Sequence, residues 1–297
     1  MRRHRTTARG ILFPLLAGLL VGAFLVPAGG AHSTGSSGVP RLVFPLVAKT
    51  DLWDNYGDSR GTHSHAGIDM ENPWRAPIVA VEAGRISYAE SGLGGCMLYL
   101  YGRSGTMYLY IHLNNDLTAR NDNRGGCVKD VTFAVPNGAR VTAGEQVAWN
   151  GDSGDASGNP HLHFEVHPGG GADTSPYPYL TRASRPLFAA RAGSPFSLGL
   201  RGDLVAAGAG TLTMEVDHVR HYPGGRWLDL DPRTVELAVP EEADIAPALV
   251  RDVTVEALRS IRSPVPVLAY TVRGKATPRA IVGAVGELRV ARVSPAP

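Results

Sequence analysis

Asn159-Pro160-His161-Leu162-His163-Phe164-Glu165-Val166-His167 is apolar at every second position and follows the Gly/Ser/Asp-rich run Asn150 to Gly158. Extended chain sends successive side chains to opposite faces. Leu162, Phe164 and Val166 therefore share one face, suited to a core, and His161, His163 and Glu165 share the other. Two imidazoles side by side on a strand, fed by a glycine-rich loop, suit a metal and acid–base site. A single His-x-His is more often a decorated, solvated strand face, so the reading depends on what lies upstream.

Two further clusters lie there. Gly61-Thr62-His63-Ser64-His65-Ala66-Gly67-Ile68-Asp69 places His65 and Asp69 four apart, but Gly67 and the nearby Pro73 argue against a helix. In extended chain residues 65, 67 and 69 share a side, and Gly67 leaves space between the two ligands for an ion. Met107-Tyr108-Leu109-Tyr110-Ile111-His112-Leu113 reads as a strand with Tyr108, Tyr110 and His112 on one face and Met107, Leu109, Ile111 and Leu113 on the other. Taken alone, either cluster has an ordinary structural explanation. Together they supply a complete set, since six of the ten histidines fall between residues 63 and 167. A catalytic zinc site takes three protein ligands of imidazole and carboxylate type and leaves a fourth position to water. His65, Asp69 and one of the pair His161/His163 meet that count. The remaining histidine and His112 are left to move a proton or stabilise an oxyanion.

Arg2, Arg3, Arg5 and Arg9, an apolar run from Ile11 to Val26 and the small residues Ala28 to Ala31 form the pattern of a secretory signal peptide over residues 1–31. A retained anchor is the alternative, made less favourable by Pro14 and Gly18 within the run. Removing the four leader arginines from the 29 basic residues leaves 25 against 27 acidic ones, a formal charge of −2. No basic stripe remains, so nucleic acid is excluded as a partner class. Stable membrane insertion after cleavage is not expected either. Cys96 and Cys127 are the only cysteines. An even pair in an exported chain reads as one disulfide, and no Cys-x-x-Cys supports the rival reading of thiolate ligands.

The chain divides as residues 32–41, a flexible N-terminus; 42–180, a domain of strand-length apolar runs punctuated by glycine; 181–198, the end of a Pro/Gly/Ser-rich stretch, read as a linker; and 199–297, a second β-rich module. Clean alternation at 211–216 and 234–239 supports strands in that module, Glu241 to Ser260 reads as a short helix, and the whole suits a small barrel. The fold class expected is all-β.

The three clusters in this order resemble the signature of the lysostaphin-type (LytM-like) zinc metalloendopeptidases of bacterial cell walls, over about residues 42–170. The matching text is His65 to Asp69, Tyr110-Ile111-His112-Leu113 and Gly158-Asn159-Pro160-His161-Leu162-His163-Phe164-Glu165. The resemblance implies an antiparallel sheet forming a groove with one Zn²⁺ on its floor, held by His65, Asp69 and His163. It implies that His112 and His161 flank the ion as general base and transition-state stabiliser, in an order left open. The implied activity is hydrolysis of peptide cross-links or stem peptides of peptidoglycan by a secreted, extracellular or wall-associated enzyme. A non-catalytic relative that binds wall peptide or activates another hydrolase is the alternative. Degenerate relatives lose ligands, however, and this sequence keeps all three and both flanking histidines. One departure is the long polar segment Asn114 to Asp130, expected as a groove wall. Glu165 is a candidate for orienting a ligand, and Asn55, by analogy with the family, for covering the ion in a latent form. His63 reads as a loop residue, and His218 and His221 as surface residues.

Overall fold

The computed structural model describes residues 38–208, 210–246, 249 and 265–296. The expected signal peptide lies outside them, as does most of the expected helix within 241–260. Among the described residues no helix is long and apolar enough to cross a membrane.

The order of strands is β1 (Ile68–Glu71), β2 (Pro77–Val79), β3 (Gly84–Ser91), β4 (Gly95–Gly102), β5 (Met107–Leu113), β6 (Arg140–Val141), β7 (Gln146–Trp149) and β8 (His161–His167) in the first half. The second half holds β9 (Pro195–Phe196), β10 (Leu198–Gly208), β11 (Thr211–His221), β12 (Leu228–Ala238), β13 (Asp244–Ile245), β14 (Val265–Thr271), β15 (Gly274–Lys275) and β16 (Val290–Pro295). Two single-turn helices, α1 (Tyr177–Leu180) and α2 (Pro278–Ile281), complete the regular structure, with 3-10 turns at 154–156 and 168–170. The fold is all-β, as the alternating apolar runs lead one to expect.

The first half is an antiparallel six-stranded sheet in the order β1-β8-β5-β4-β3-β6. Its strands alternate faithfully. Leu162, Phe164 and Val166 of β8 are fully buried, as are Ile68, Met70, Leu98, Leu100, Tyr108 and Tyr110 from its neighbours. These side chains pack against Leu42, Phe44, Leu46, Ile78 and Ala148, the last two on the small antiparallel pair β2–β7. Each such residue contributes about 1.5–3 kcal/mol relative to exposure, and together they fix which face of the sheet turns outward. That outward face carries Asp69, His161, His163 and Glu165, flanked by the small buried cluster of Met97, Leu109 and Ile111.

One residue breaks the alternation. On β5, His112 does not share the core face with Tyr108 and Tyr110, as expected; it lies on the outward side with the other histidines. The ladder between β4 and β5 skips there: Leu98 pairs with Tyr110 but Cys96 with Leu113, two residues answering three. The extra residue is a β-bulge, a device that re-aims a side chain. His112 accommodates it by adopting φ +62°, uncommon for a residue with a side chain. Its N–H donates to the Gly94 carbonyl. Leu113 then returns to the core.

The second half is a six-stranded sheet in the order β12-β11-β10-β14-β16-β13, antiparallel except for the parallel pair β13–β16. A parallel bridge between Ala238 and Arg289 brings the end of β12 to the start of β16, so the sheet curls toward closure. Helix α2, capped by the Thr277 hydroxyl, fills the interior with Ala280 and Ile281. Residues 181–198, which read as a linker, place Leu187, Phe188, Ala189, Ala190 and Phe196 in this core. Val47 and Val79 of the first half join it. The polypeptide 181–198 is therefore packed between the two sheets, and backbone bonds such as Lys49 N–H to the Asp229 carbonyl hold the halves together.

Candidate metal centre

Three donor atoms converge where β1 meets β8. Asp69 and His163 are register partners, and Asp69 Oδ1 lies 2.8 Å from His163 Nδ1. His65 Nε2, from the loop before β1, lies 3.0 Å from Asp69 Oδ1 and 2.9 Å from His163 Nδ1. Among the described residues this is the one group of three or more His, Cys, Asp or Glu side chains whose ligand atoms come so close together. The expected space at Gly67 exists but is filled differently. A Cβ there would stand 2.8 Å from His163 Nε2 and 2.5 Å from the Phe164 carbonyl oxygen, so the missing side chain makes room for the His163 ring and not for the ion.

The hydrogen bonds around the cluster fix which ring nitrogen carries a proton. His65 Nδ1 is 2.8 Å from the Asn55 carbonyl, which can only accept, so Nδ1–H donates and Nε2 is left with a lone pair. His163 Nε2 is 3.0 Å from Glu165 Oε1 and donates to it, leaving Nδ1 with a lone pair. With both rings neutral, three acceptors would thus face one another at 2.8–3.0 Å. Such an arrangement is repulsive unless a positive charge sits among them. Electrostatics agree: burial alone would suppress a charge on His163, but its bonds to Asp69 and Glu165 outweigh burial and raise its pKa to about 9. Burial would likewise raise Asp69, yet His163 and the neighbouring histidines hold it well below the usual carboxylate range. Two imidazole nitrogens and one carboxylate oxygen are a donor set suited to zinc.

Around these three stand the supports. Asp69 Oδ2 accepts from the Arg60 guanidinium at 2.5 Å, so one oxygen is left for the cluster. Asn55 is buried and its side chain is engaged: Oδ1 accepts from the Asp69 N–H at 3.2 Å. It braces two members of the cluster from behind, which differs from the covering role expected for it. Glu165 bridges two imidazoles, with Oε2 2.7 Å from His167 Nε2, and His167 Nδ1 in turn donates to the Gly171 carbonyl. The sequence does not single out His167, and its part in the chain of contacts depends on the turn at 168–171.

His112 and His161 line the adjoining cleft, of about 570 Å³, with their rings 4.8 Å apart. His112 Nδ1–H donates to the Ser153 carbonyl and His161 Nδ1–H to the Asn159 carbonyl, so each turns Nε2 toward the cleft. Burial pushes His112 down to about 4, which keeps it neutral. His161 Nε2 is 3.7 Å from Asp69 Oδ1. Ser153 is a residue that sequence reading passes over. Its hydroxyl donates to the Leu113 carbonyl and accepts from the Cys96 N–H, pinning the bulge on both sides. His63 is exposed on the rim, and Leu93, Gly94 and residues 155–159 form the opposite wall.

The segment Asn114 to Asp130 does not line the cleft. It stands behind that wall, where Asn121 donates to Asp152 and Asn123 to Ser157. The disulfide Cys96–Cys127 ties the segment to β4. Outside this region, His218 contacts Asp217 and Asp229, and His221 donates to the Ala189 carbonyl.

Parts of the chain are similar to known proteins. Residues 63–176 match the model of peptidase family M23. The curated protein described as uncharacterized lipoprotein YgeR of Escherichia coli K12 is 30% identical over 142 residues, covering 46% of this chain and 50% of that protein. The chain therefore spans about half the length of that relative. Among solved structures, the catalytic domain of lysostaphin from Staphylococcus simulans is similar over 45% of this chain and 92% of its own, with 24% identity and a TM-score of 0.35. A zinc-containing peptidase from Vibrio cholerae is similar over 45% of this chain and 39% of its own, with 22% identity and a TM-score of 0.35.

Proposed function

We propose that the chain is an exported zinc metalloendopeptidase that hydrolyses peptide cross-links or stem peptides of bacterial peptidoglycan, acting outside the cell or at the wall. The observation that carries this reading is the convergence of three donor atoms, His65 Nε2, Asp69 Oδ1 and His163 Nδ1, on a single point beside a neutral His112. Zinc held by those atoms would supply polarisation of a peptide carbonyl and acidification of the attacking water.

The protein's own groups do the rest. Asn55 and Glu165 hold His65 and His163 in the tautomers that ligation needs, and Arg60 occupies the second oxygen of Asp69. His112, neutral and with Nε2 open to the cleft, takes the proton from the attacking water. Its Nδ1–H stays bonded to Ser153, which stabilises the imidazolium formed. His161, with Nε2 turned to the cleft beside the Asp69 carboxylate, faces the developing oxyanion. The envelope location implied by this substrate is supported by the lipoprotein description of the YgeR relative.

Digestion of muropeptides of known cross-link by the zinc-loaded protein, with mass analysis of the new ends, tests the proposal. New amine and carboxyl ends at one peptide bond, abolished by chelation, are expected. Binding without any cleavage would leave only the non-catalytic reading.

A further inference from the structure

The outward face of the first sheet does not end at the metal cluster. Glu71 lies two residues beyond Asp69 on β1, on the same face, and is the register partner of His161. At about 3.3 Å per residue it stands roughly 7 Å farther along the strand. Glu71 is exposed, and it opens into a second cleft of about 600 Å³ built from both halves of the chain. The first half supplies Lys49, Glu71 and Trp74; the second supplies Arg226, Trp227 and Asp229.

This cleft is constructed and held. The Arg226 guanidinium donates to the Trp74 carbonyl across the junction at 3.1 Å, and Lys49 N–H donates to the Asp229 carbonyl at 2.7 Å. Trp74 Nε1–H is bonded to Asn114 and Asp116, and the Arg75 guanidinium lies 4.5 Å from its ring centre. Trp227 packs beside Gly199, where a Cβ would lie 3.2 Å from its ring, with the Arg220 guanidinium 4.6 Å from the ring centre. The cleft thus offers two indoles with cations and anions in close company.

We propose that this cleft is a binding subsite for a zwitterionic peptide segment flanking the scissile bond. Its amine faces Glu71 and Asp229, its carboxylate faces Lys49 and Arg226, and its apolar body lies against Trp74 and Trp227. The inference rests on the peptidase reading for the identity of the ligand, and it gives the second half a role in substrate selection. A neutral amino-sugar ligand would use the indoles but leave the charges of both signs unmatched.

Direct binding separates this from the activity question. A zwitterionic stem tetrapeptide is titrated by calorimetry into the full-length His163→Ala protein, which need not hydrolyse anything. Saturable binding is expected, weakened about tenfold or more by Trp227→Ala. Amidating the peptide carboxylate and substituting Arg226→Ala should each weaken it about fivefold, and together no more than either alone. Because Trp227 packs internally and Arg226 bonds across the junction, amidation of the peptide carboxylate, which changes no protein contact, is the independent check. Equal affinity for the amidated peptide in wild-type and Arg226→Ala backgrounds supports the contact. Undiminished binding in both variants overturns the proposal, and so does stronger binding of a peptide-free disaccharide. If wild-type protein binds the peptide here but cleaves no muropeptide, the peptidase reading fails and the subsite stands.

Discussion

Gly67 and His163 occupy one place between them: a Cβ at residue 67 would stand 2.8 Å from His163 Nε2, where the ring donates to Glu165. The absence of a side chain on one strand edge therefore sets the tautomer of a proposed ligand on its neighbour. Gly67→Ala must displace either the ring or the Phe164 carbonyl, itself 2.5 Å from the added carbon. We expect a loss of about 1–3 kcal/mol of stability and a zinc affinity reduced at least tenfold. Denaturant melts and competition with a chelator measure both. Unchanged zinc affinity would show that the ring position is not set here.

His112 is held on the cleft by a bulge and a positive φ, away from the three converging donors. His112→Asn, a residue that tolerates this backbone, should keep zinc stoichiometry and melting temperature while lowering kcat by about 10²–10⁴-fold. Wild-type turnover in this variant would remove His112 from the reaction.

The proton count at the cluster gives a pH dependence with a definite sign. In the metal-free protein His163 has its pKa raised from 6.5 to about 9, so at neutral pH the cluster holds a proton. Zinc must displace it, and affinity should fall about tenfold per unit as pH drops below about 9. The same raised pKa makes a contribution to metal-free stability that is complete below about 6.5 and is lost as pH rises toward 9. The difference in melting temperature between zinc-loaded and metal-free protein should therefore widen from pH 6.5 to 9. Calorimetry in buffers of different ionisation enthalpy should record about one proton released. A gap that narrows over this interval would contradict the assignment.

The disulfide Cys96–Cys127, separated by 31 residues, anchors the segment that stands behind the cleft wall. Reduction should cost about 3–4 kcal/mol on the chain-entropy account. Through Asn121 and Asn123 it should also loosen the 152–158 loop that carries the Ser153 carbonyl. A faster exchange of amides in 152–158 after reduction, with zinc retained, is the expected signature.

Much of this molecule is legible in the sequence because the strands alternate. Leu162, Phe164 and Val166 inward, His161, His163 and Glu165 outward, follows from period two alone, and so does the all-β class. The sequence misplaced His112 because a bulge inserts one residue and inverts every later side chain, and no residue in 107–113 announces it. Ser153 was hidden within a run that reads only as flexible polar loop, although its hydroxyl and carbonyl brace the bulge. Pro and Gly in 181–198 suggested a linker, yet Leu187, Phe188 and Phe196 supply the burial that packs it. The cleft between the halves has no sequence signature at all, because its walls are brought together only by tertiary packing.

Zinc stoichiometry by atomic emission, measured after exhaustive dialysis on the wild-type chain and on His65→Ala, Asp69→Ala and His163→Ala, tests the central claim most directly. The account predicts one zinc per wild-type chain and less than a tenth of that in each variant, with folding retained by circular dichroism. A full equivalent of zinc remaining in any one of the three would contradict it.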